Sequence, residues 1–120
     1  MLNRAAVTQP QCRTSLVSAI QEFIDHHLLE IRELSQLSQT FGYSYSYLSH
    51  VFVEETGVSL RDYYAKQRRQ KVLELIRSNR YTVTEIAEMM HYRSIHSFSR
   101  AFKNAFGVPP TQYIKLDMKA

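Results

Sequence analysis

Cysteine occurs once in these 120 residues, at Cys12, and tryptophan does not occur at all. A single thiol excludes an intramolecular disulfide and any zinc site built from several cysteines, which fits a reducing compartment. Nothing beside Cys12 marks it as reactive, so no redox role is expected. Glycine and proline number three each, too few to turn a many-stranded sheet, because tight hairpins lean on those residues. No apolar run approaches the ~18 residues that cross a bilayer, and the opening MLNRAAVTQPQCR is too polar for a secretory signal. There is no glycine-rich phosphate loop, no nucleophile with a base at motif spacing and no pair of carboxylates suited to a cleft, so no catalytic residue is expected. His26 and His27 are adjacent and cannot share a helix face, and His91 and His96 lack carboxylate or cysteine companions at ligand spacing. Neither a metal nor a cofactor is expected.

What is present is globular: 44% hydrophobic and 22% charged residues, enough for one domain or two very small ones. A soluble, cytoplasmic protein is the expectation. The net charge of +4 is unevenly spread. Residues 1–60 hold three bases against six acids, whereas residues 61–120 hold twelve bases against five acids. The positive field of the second half suits a polyanionic partner, chiefly nucleic acid.

Helix periodicity runs through most of the chain. In SLVSAIQEFIDHHLLEI, Leu16, Ile20, Phe23, Ile24 and Leu28 recur at spacings of three and four, with Ser15 as a candidate cap. LSQLSQTF sets Leu34, Leu37 and Phe41 on one face and is followed by Gly42, which suits a left-handed helix stop. From Ser59 to Ser78, apolar positions alternate with bases in a long basic helix. TVTEIAEMM opens with Thr82 and Glu85 at capping-box spacing. In GVPPTQYIKL two prolines stop one helix and let a last one begin.

GYSYSYLSHVF, at 42–52, alternates like a half-buried strand. An internal repeat decides otherwise. Shifting the chain by 49 or 50 residues lays GYSYSYLSHVFVEETGVSLRDYY over HYRSIHSFSRAFKNAFGVPPTQYI, pairing Tyr43 with Tyr92, Leu48 with Phe98, Phe52 with Phe102 and Gly57 with Gly107. The paired apolar residues lie four apart, which is a helix repeat. Each copy is thus a short helix, a tight turn at Gly42 or His91, and a second helix, the helix-turn-helix arrangement.

LSQLSQTFGYSYSYLSHVFVEETGVSLRDYYAKQRRQKVLELI followed by VTEIAEMMHYRSIHSFSRAFKNAFGVPPTQYI resembles the DNA-binding domain of the AraC/XylS family of bacterial transcription regulators, over roughly residues 16–116. The resemblance implies an all-α fold of about seven helices: two helix-turn-helix subdomains joined by a long linker helix. Its expected boundaries are a loose N-terminal arm over 1–13, a first subdomain over 14–58, the linker over 59–78, a second subdomain over 79–116 and a tail over 117–120. It further implies recognition helices in successive major-groove segments about one turn apart, an asymmetric site because the copies differ, and regulation, with activation through RNA polymerase as the expected mode. Such a chain can bind promoter DNA as a monomer unless a separate N-terminal domain dimerises it; a stand-alone regulator and the C-terminal piece of a larger sensor both remain open. Three positions depart from the family pattern. His91 stands at the glycine of the turn, where it either adopts positive φ at some cost or shifts the turn locally. Glu33 stands where a Ser or Thr cap is usual, and His50 where a long polar side chain is common.

With Leu48, Val51 and Phe52 turned inward, Tyr45, Ser46, Ser49 and His50 are left to read base edges in the first copy. In the second, Phe98, Ala101 and Phe102 turn inward and leave Ile95, His96, Ser97, Ser99 and Arg100 outward. Arg100 fits guanine O6 and N7, and Ile95 a thymine methyl. Phosphate contacts are expected from Thr82, Arg93 and Lys103 and from the helix N-termini near Leu34 and Thr82. Arg68 is read as structural, and the second subdomain is expected to dominate non-specific affinity. The rival is a helical protein-interaction module, built on exposed Tyr45 and Ile95, with no sequence preference on DNA.

Overall fold

The computed structural model describes residues 13–119, with side chains for 14–116, and within them every regular element is a helix. The helices are α1 (Arg13–His26), α2 (Gln36–Phe41), α3 (Tyr45–Thr56), α4 (Leu60–Ser78), α5 (Val83–Met89), α6 (Ile95–Phe106) and α7 (Pro110–Lys119). Cys12 and residues 1–12 of the expected arm lie outside the described residues, as does Ala120. The stretch 117–119, expected as a tail, continues α7. Among the described residues no helix is long and apolar enough to cross a membrane.

The chain divides into two compact units, Met1–Ala65 and Lys66–Ala120. The division falls inside α4, so the linker helix is shared by the units and is not a piece between them. Its first turns bury Leu60 in the first unit, and its later turns bury Val72, Leu75 and Ile76 in the second.

In the first unit α1 and α2 pack on α3. The predicted stripe of α1 is buried at Leu16, Ile20 and Ile24, together with Val17, and meets Leu37, Leu48, Val51 and Phe52 in one apolar cluster. Two local expectations need correction. Ser15 lies within the first turn of α1, which begins at Arg13, and does not cap it. The same helix ends at His26, where the apolar pattern suggested a run to Ile31. The carbonyl of His27 instead accepts from Glu30 and Ile31 N–H (2.9 and 3.1 Å), and this turn keeps Leu28 and Ile31 in the core. The start of α2 is held in a way no Ser or Thr cap predicts: Gln36 Oε1 accepts from the N–H groups of Arg32 and Glu33 (2.7 and 2.9 Å). Tyr63 Oη donates to Asp25 (2.9 Å), and Tyr64 Oη to the Ile31 carbonyl (2.7 Å). Burial first, then the Asp25 hydrogen bond and its charge, push the Tyr63 pKa up from 10.0 to about 12. This hydroxyl therefore stays protonated as a structural donor.

In the second unit α5 and α7 pack on α6. Ile86, Ala87, Met90, Phe98 and Phe102 are buried, and Tyr92, Phe98, Phe102, Phe106 and Tyr113 form a chain of ring contacts. The expected capping box is complete. Thr82 Oγ1 accepts from Glu85 N–H (3.1 Å), and Glu85 Oε1 accepts from Thr82 N–H (2.8 Å). At only 7 residues, α5 depends on such an end. Thr82→Ala is expected to cost about 1 kcal/mol, lowering the midpoint of a circular-dichroism melt by about 4–8 °C. Arg68 is structural, as read from its position: Nη2 donates to the Met90 carbonyl (2.8 Å), and the guanidinium lies 5.6 Å from the Tyr92 ring centroid.

Candidate nucleic-acid interface

The two turns reach the same geometry by different means. Gly42 (φ 75°) caps α2 in the left-handed region, where a missing Cβ removes the steric penalty. His91 takes φ 67° at the corresponding place. The strain is held by the backbone around it: His91 N–H donates to the Glu88 carbonyl (3.0 Å), and Tyr92 N–H to the Ala87 carbonyl (2.9 Å).

Each turn delivers a serine to the N-cap of the next helix. Ser44 Oγ accepts from Tyr47 N–H and Ser94 Oγ from Ser97 N–H, both at 3.1 Å. These caps fix where α3 and α6 begin, and sequence reasoning passed over them. The signal was available: a serine three residues before Tyr47 and before Ser97, each ahead of an apolar helix pattern. Both helices are 12 residues long and end at a left-handed glycine, Gly57 (φ 78°) or Gly107 (φ 86°). With a constant shift of 50 between them, every position of α3 has a counterpart in α6.

On α3, Leu48, Val51 and Phe52 are buried while Ser46, His50 and Val53 are exposed, so the latter three, at spacings of four and three, define the outward row. Ser49 is half-buried at its edge. Tyr45 is not a free outward residue: it is half-buried and packs on the first core. Its aromatic body is better accommodated there than in water. The imidazole at position 50 also faces a carboxylate, with His50 Nε2 3.2 Å from Glu54 Oε2.

The matching row on α6 is His96, Arg100 and Lys103, all exposed. Ile95 and Ser97 are exposed at the start of the helix and Ser99 is half-buried. Ser97 Oγ also lies within 3.3 Å of the Ser94 hydroxyl. Thus the apolar Val53 and the His50–Glu54 pair of α3 stand where α6 has Lys103, Arg100 and Asn104. Arg93 is exposed in the turn before α6.

Some N–H groups ahead of the helices expected to meet phosphate are engaged within the chain. At α5 the Thr82 N–H is engaged by the Glu85 carboxylate, leaving the hydroxyl proton of Thr82 as its free donor to a ligand. Ahead of α2 the Arg32 and Glu33 N–H groups are engaged by Gln36. Among the described residues no group of three His, Cys, Asp or Glu could hold a metal ion.

A helix-turn-helix domain family matches residues 37–116, spanning both turns and both capped helices. The chain is similar to the multiple antibiotic resistance protein MarA of Escherichia coli (28% identical over 103 residues, 86% of this chain and 81% of that protein). It is also similar to the transposon Tn10 TetD protein of Escherichia coli (31% over 103 residues, 86% and 75%). Among solved structures, the C-terminal domain of AraT, a response regulator from Geobacillus stearothermophilus, superposes with a TM-score of 0.73 at 33% identity, covering 84% of each chain. The paired turns, the paired capped helices and these likenesses together mean that the chain belongs to the AraC/XylS family of DNA-binding transcription regulators.

Proposed function

We propose that the protein recognises an asymmetric promoter site of two unequal parts, with α3 and α6 each reading one major-groove segment. The observation that carries this reading is the register of 50 between two capped helices whose outward rows differ in chemistry. Base-reading groups are Ser46, Ser49 and His50 on α3, with Tyr45 contributing by packing, and Ile95, His96, Ser97, Ser99 and Arg100 on α6. Arg100 presents the planar fork that matches guanine O6 and N7, while serines and a paired histidine discriminate weakly and leave the first half-site more to DNA shape. Arg93 and Lys103, with the Thr82 hydroxyl, supply phosphate contacts. Binding as a monomer in the cytoplasm and activation through RNA polymerase complete the reading. Support for that mode comes from a relative named as the F1 operon positive regulatory protein of Yersinia pestis.

Selection of bound sequences from a random duplex pool tests the proposal. A gapped motif of two unlike parts is expected; a bare preference for any duplex would sink it. The asymmetry between the units has its own measurement, the dependence of affinity on salt. Neutralising Arg93, Arg100 and Lys103 together should flatten that dependence more than replacing Ser46, Ser49 and His50, since only charge exchanges counterions with phosphate.

Glu54 adds a further expectation. Its carboxylate beside His50 repels a polyanion from the outward row of α3. Glu54→Gln should raise duplex affinity about two- to fivefold at low salt, in line with exposed charge pairs. The gain should shrink as salt screens it, and an anisotropy titration at two ionic strengths reads both effects.

A further inference from the structure

One side chain of the tyrosine run belongs neither to the core nor to the outward row. Tyr43 and Tyr45 are half-buried against the first core, whereas Tyr47 is 37% exposed. It sits one position before buried Leu48 and three before His50, so it flanks the reading row of α3. Its ring is held: it stacks on Tyr43 with centroids 4.9 Å apart and planes at 28°, and its backbone N–H is capped by Ser44. Other tyrosine hydroxyls are engaged internally, Tyr63 with Asp25, Tyr64 with the Ile31 carbonyl and Tyr113 with Arg77. Among the described residues the Tyr47 hydroxyl has no hydrogen-bond partner. The stacked pair is particular to the first unit. Ser97 stands at the matching position of α6, and Tyr92, the counterpart of Tyr43, packs edge-on against Phe98 (5.3 Å).

A phenol on a ring already fixed by stacking loses little side-chain entropy on binding, which makes it an efficient contact. The flanks of a helix lying in the major groove face the sugar-phosphate backbone, to which tyrosine hydroxyls donate. The outward row of α3 offers a phosphate no lysine or arginine, and Glu54 beside His50 opposes one. A neutral donor is what this face can present. We infer that Tyr47, held in place by Tyr43, donates its hydroxyl to a DNA phosphate and thereby positions the first reading helix. The inference rests on the DNA-reading role of α3 proposed above.

Anisotropy titrations of the full chain on the selected duplex and on a random duplex test it, with Tyr47→Phe and Tyr43→Leu beside the wild type. Tyr47→Phe should weaken both duplexes roughly tenfold, with their ratio and the melting temperature unchanged. The salt slope should also stay constant, because a neutral donor releases no counterion. Tyr43→Leu keeps the hydroxyl but frees the ring, and should weaken both about threefold. Wild-type affinity of Tyr47→Phe on both duplexes overturns the inference, as does a loss confined to the selected duplex, which would mark a base contact. Wild-type affinity of Tyr43→Leu overturns the propping role. Absence of any wild-type preference for the selected duplex would defeat the sequence-reading function, and the response of Tyr47→Phe on either duplex would still decide the phosphate contact.

Discussion

Arg100→Ala should erase the preference for guanine at one position of the second half-site while leaving preferences elsewhere in place. Arg100 is exposed on the outward row of α6, four residues after His96 and three before Lys103. Its helix starts at a serine-capped N-terminus, the end that meets base edges in helix-turn-helix docking. A bidentate pair with guanine is worth about 1–3 kcal/mol of discrimination, or roughly 5- to 150-fold. Arg100→Lys should recover charge but little of the preference, because an ammonium lacks the planar fork. Lys103→Ala supplies the contrast: a uniform weakening across sequences and a salt slope lower by about one. Affinities on duplexes carrying each single base change would separate the two patterns. Equal losses at all positions for Arg100→Ala would assign Arg100 to the backbone instead.

Phe52→Ala is expected to unfold most of the first unit. Phe52 is fully buried, in contact with Tyr63 at 5.4 Å between ring centroids, and lies in the cluster that joins Ile20, Ile24, Leu37 and Leu48. Truncating a buried phenylalanine costs about 3–5 kcal/mol through lost transfer energy and the cavity left behind. Stability of ~0.05–0.15 kcal/mol per residue gives a unit of this size roughly 3–10 kcal/mol in all, so the loss removes a large share of it. Urea unfolding followed by circular dichroism should show a large fraction of helix already absent in buffer. Site selection with this variant should return the half-site of α6 without its companion. A full two-part motif from Phe52→Ala would contradict the role assigned to the first core.

The legibility of this fold has a plain origin in its repeat. Leu48 and Phe52 lie over Phe98 and Phe102, so two independent stretches had to agree on a four-residue period, and the strand-like alternation of GYSYSYLSHVF could be set aside. Thr82 with Glu85 specified its own cap because both halves of that interaction are local in sequence. At His91 the sequence left positive φ or a local shift of the turn open, and the backbone takes the positive φ. Features outside the repeat and the Thr82–Glu85 cap were harder to read. Apolar periodicity continued past His26, yet the helix stops there because the His27 carbonyl closes a turn that returns Leu28 and Ile31 to the core. Tyr45 read as outward from its place on the helix, but the first core reaches far enough to cover it. At the start of α2, Glu33 stands where a Ser or Thr cap is usual and left the helix start open; the Gln36 side chain turns back to satisfy two N–H groups.

By itself the sequence determined the class of the molecule. It specified an all-helical chain with two unequal helix-turn-helix copies, a basic second half, and outward rows headed by His50 and by Arg100. These are properties of periodicity, charge and internal repetition, which the sequence carries without reference to packing. Tertiary structure alone decided how far each tyrosine of the run is buried. Packing against the first core half-buries Tyr43 and Tyr45 and leaves Tyr47 exposed. Burial and orientation of a side chain depend on the summed packing of several helices, and no local pattern encodes that sum.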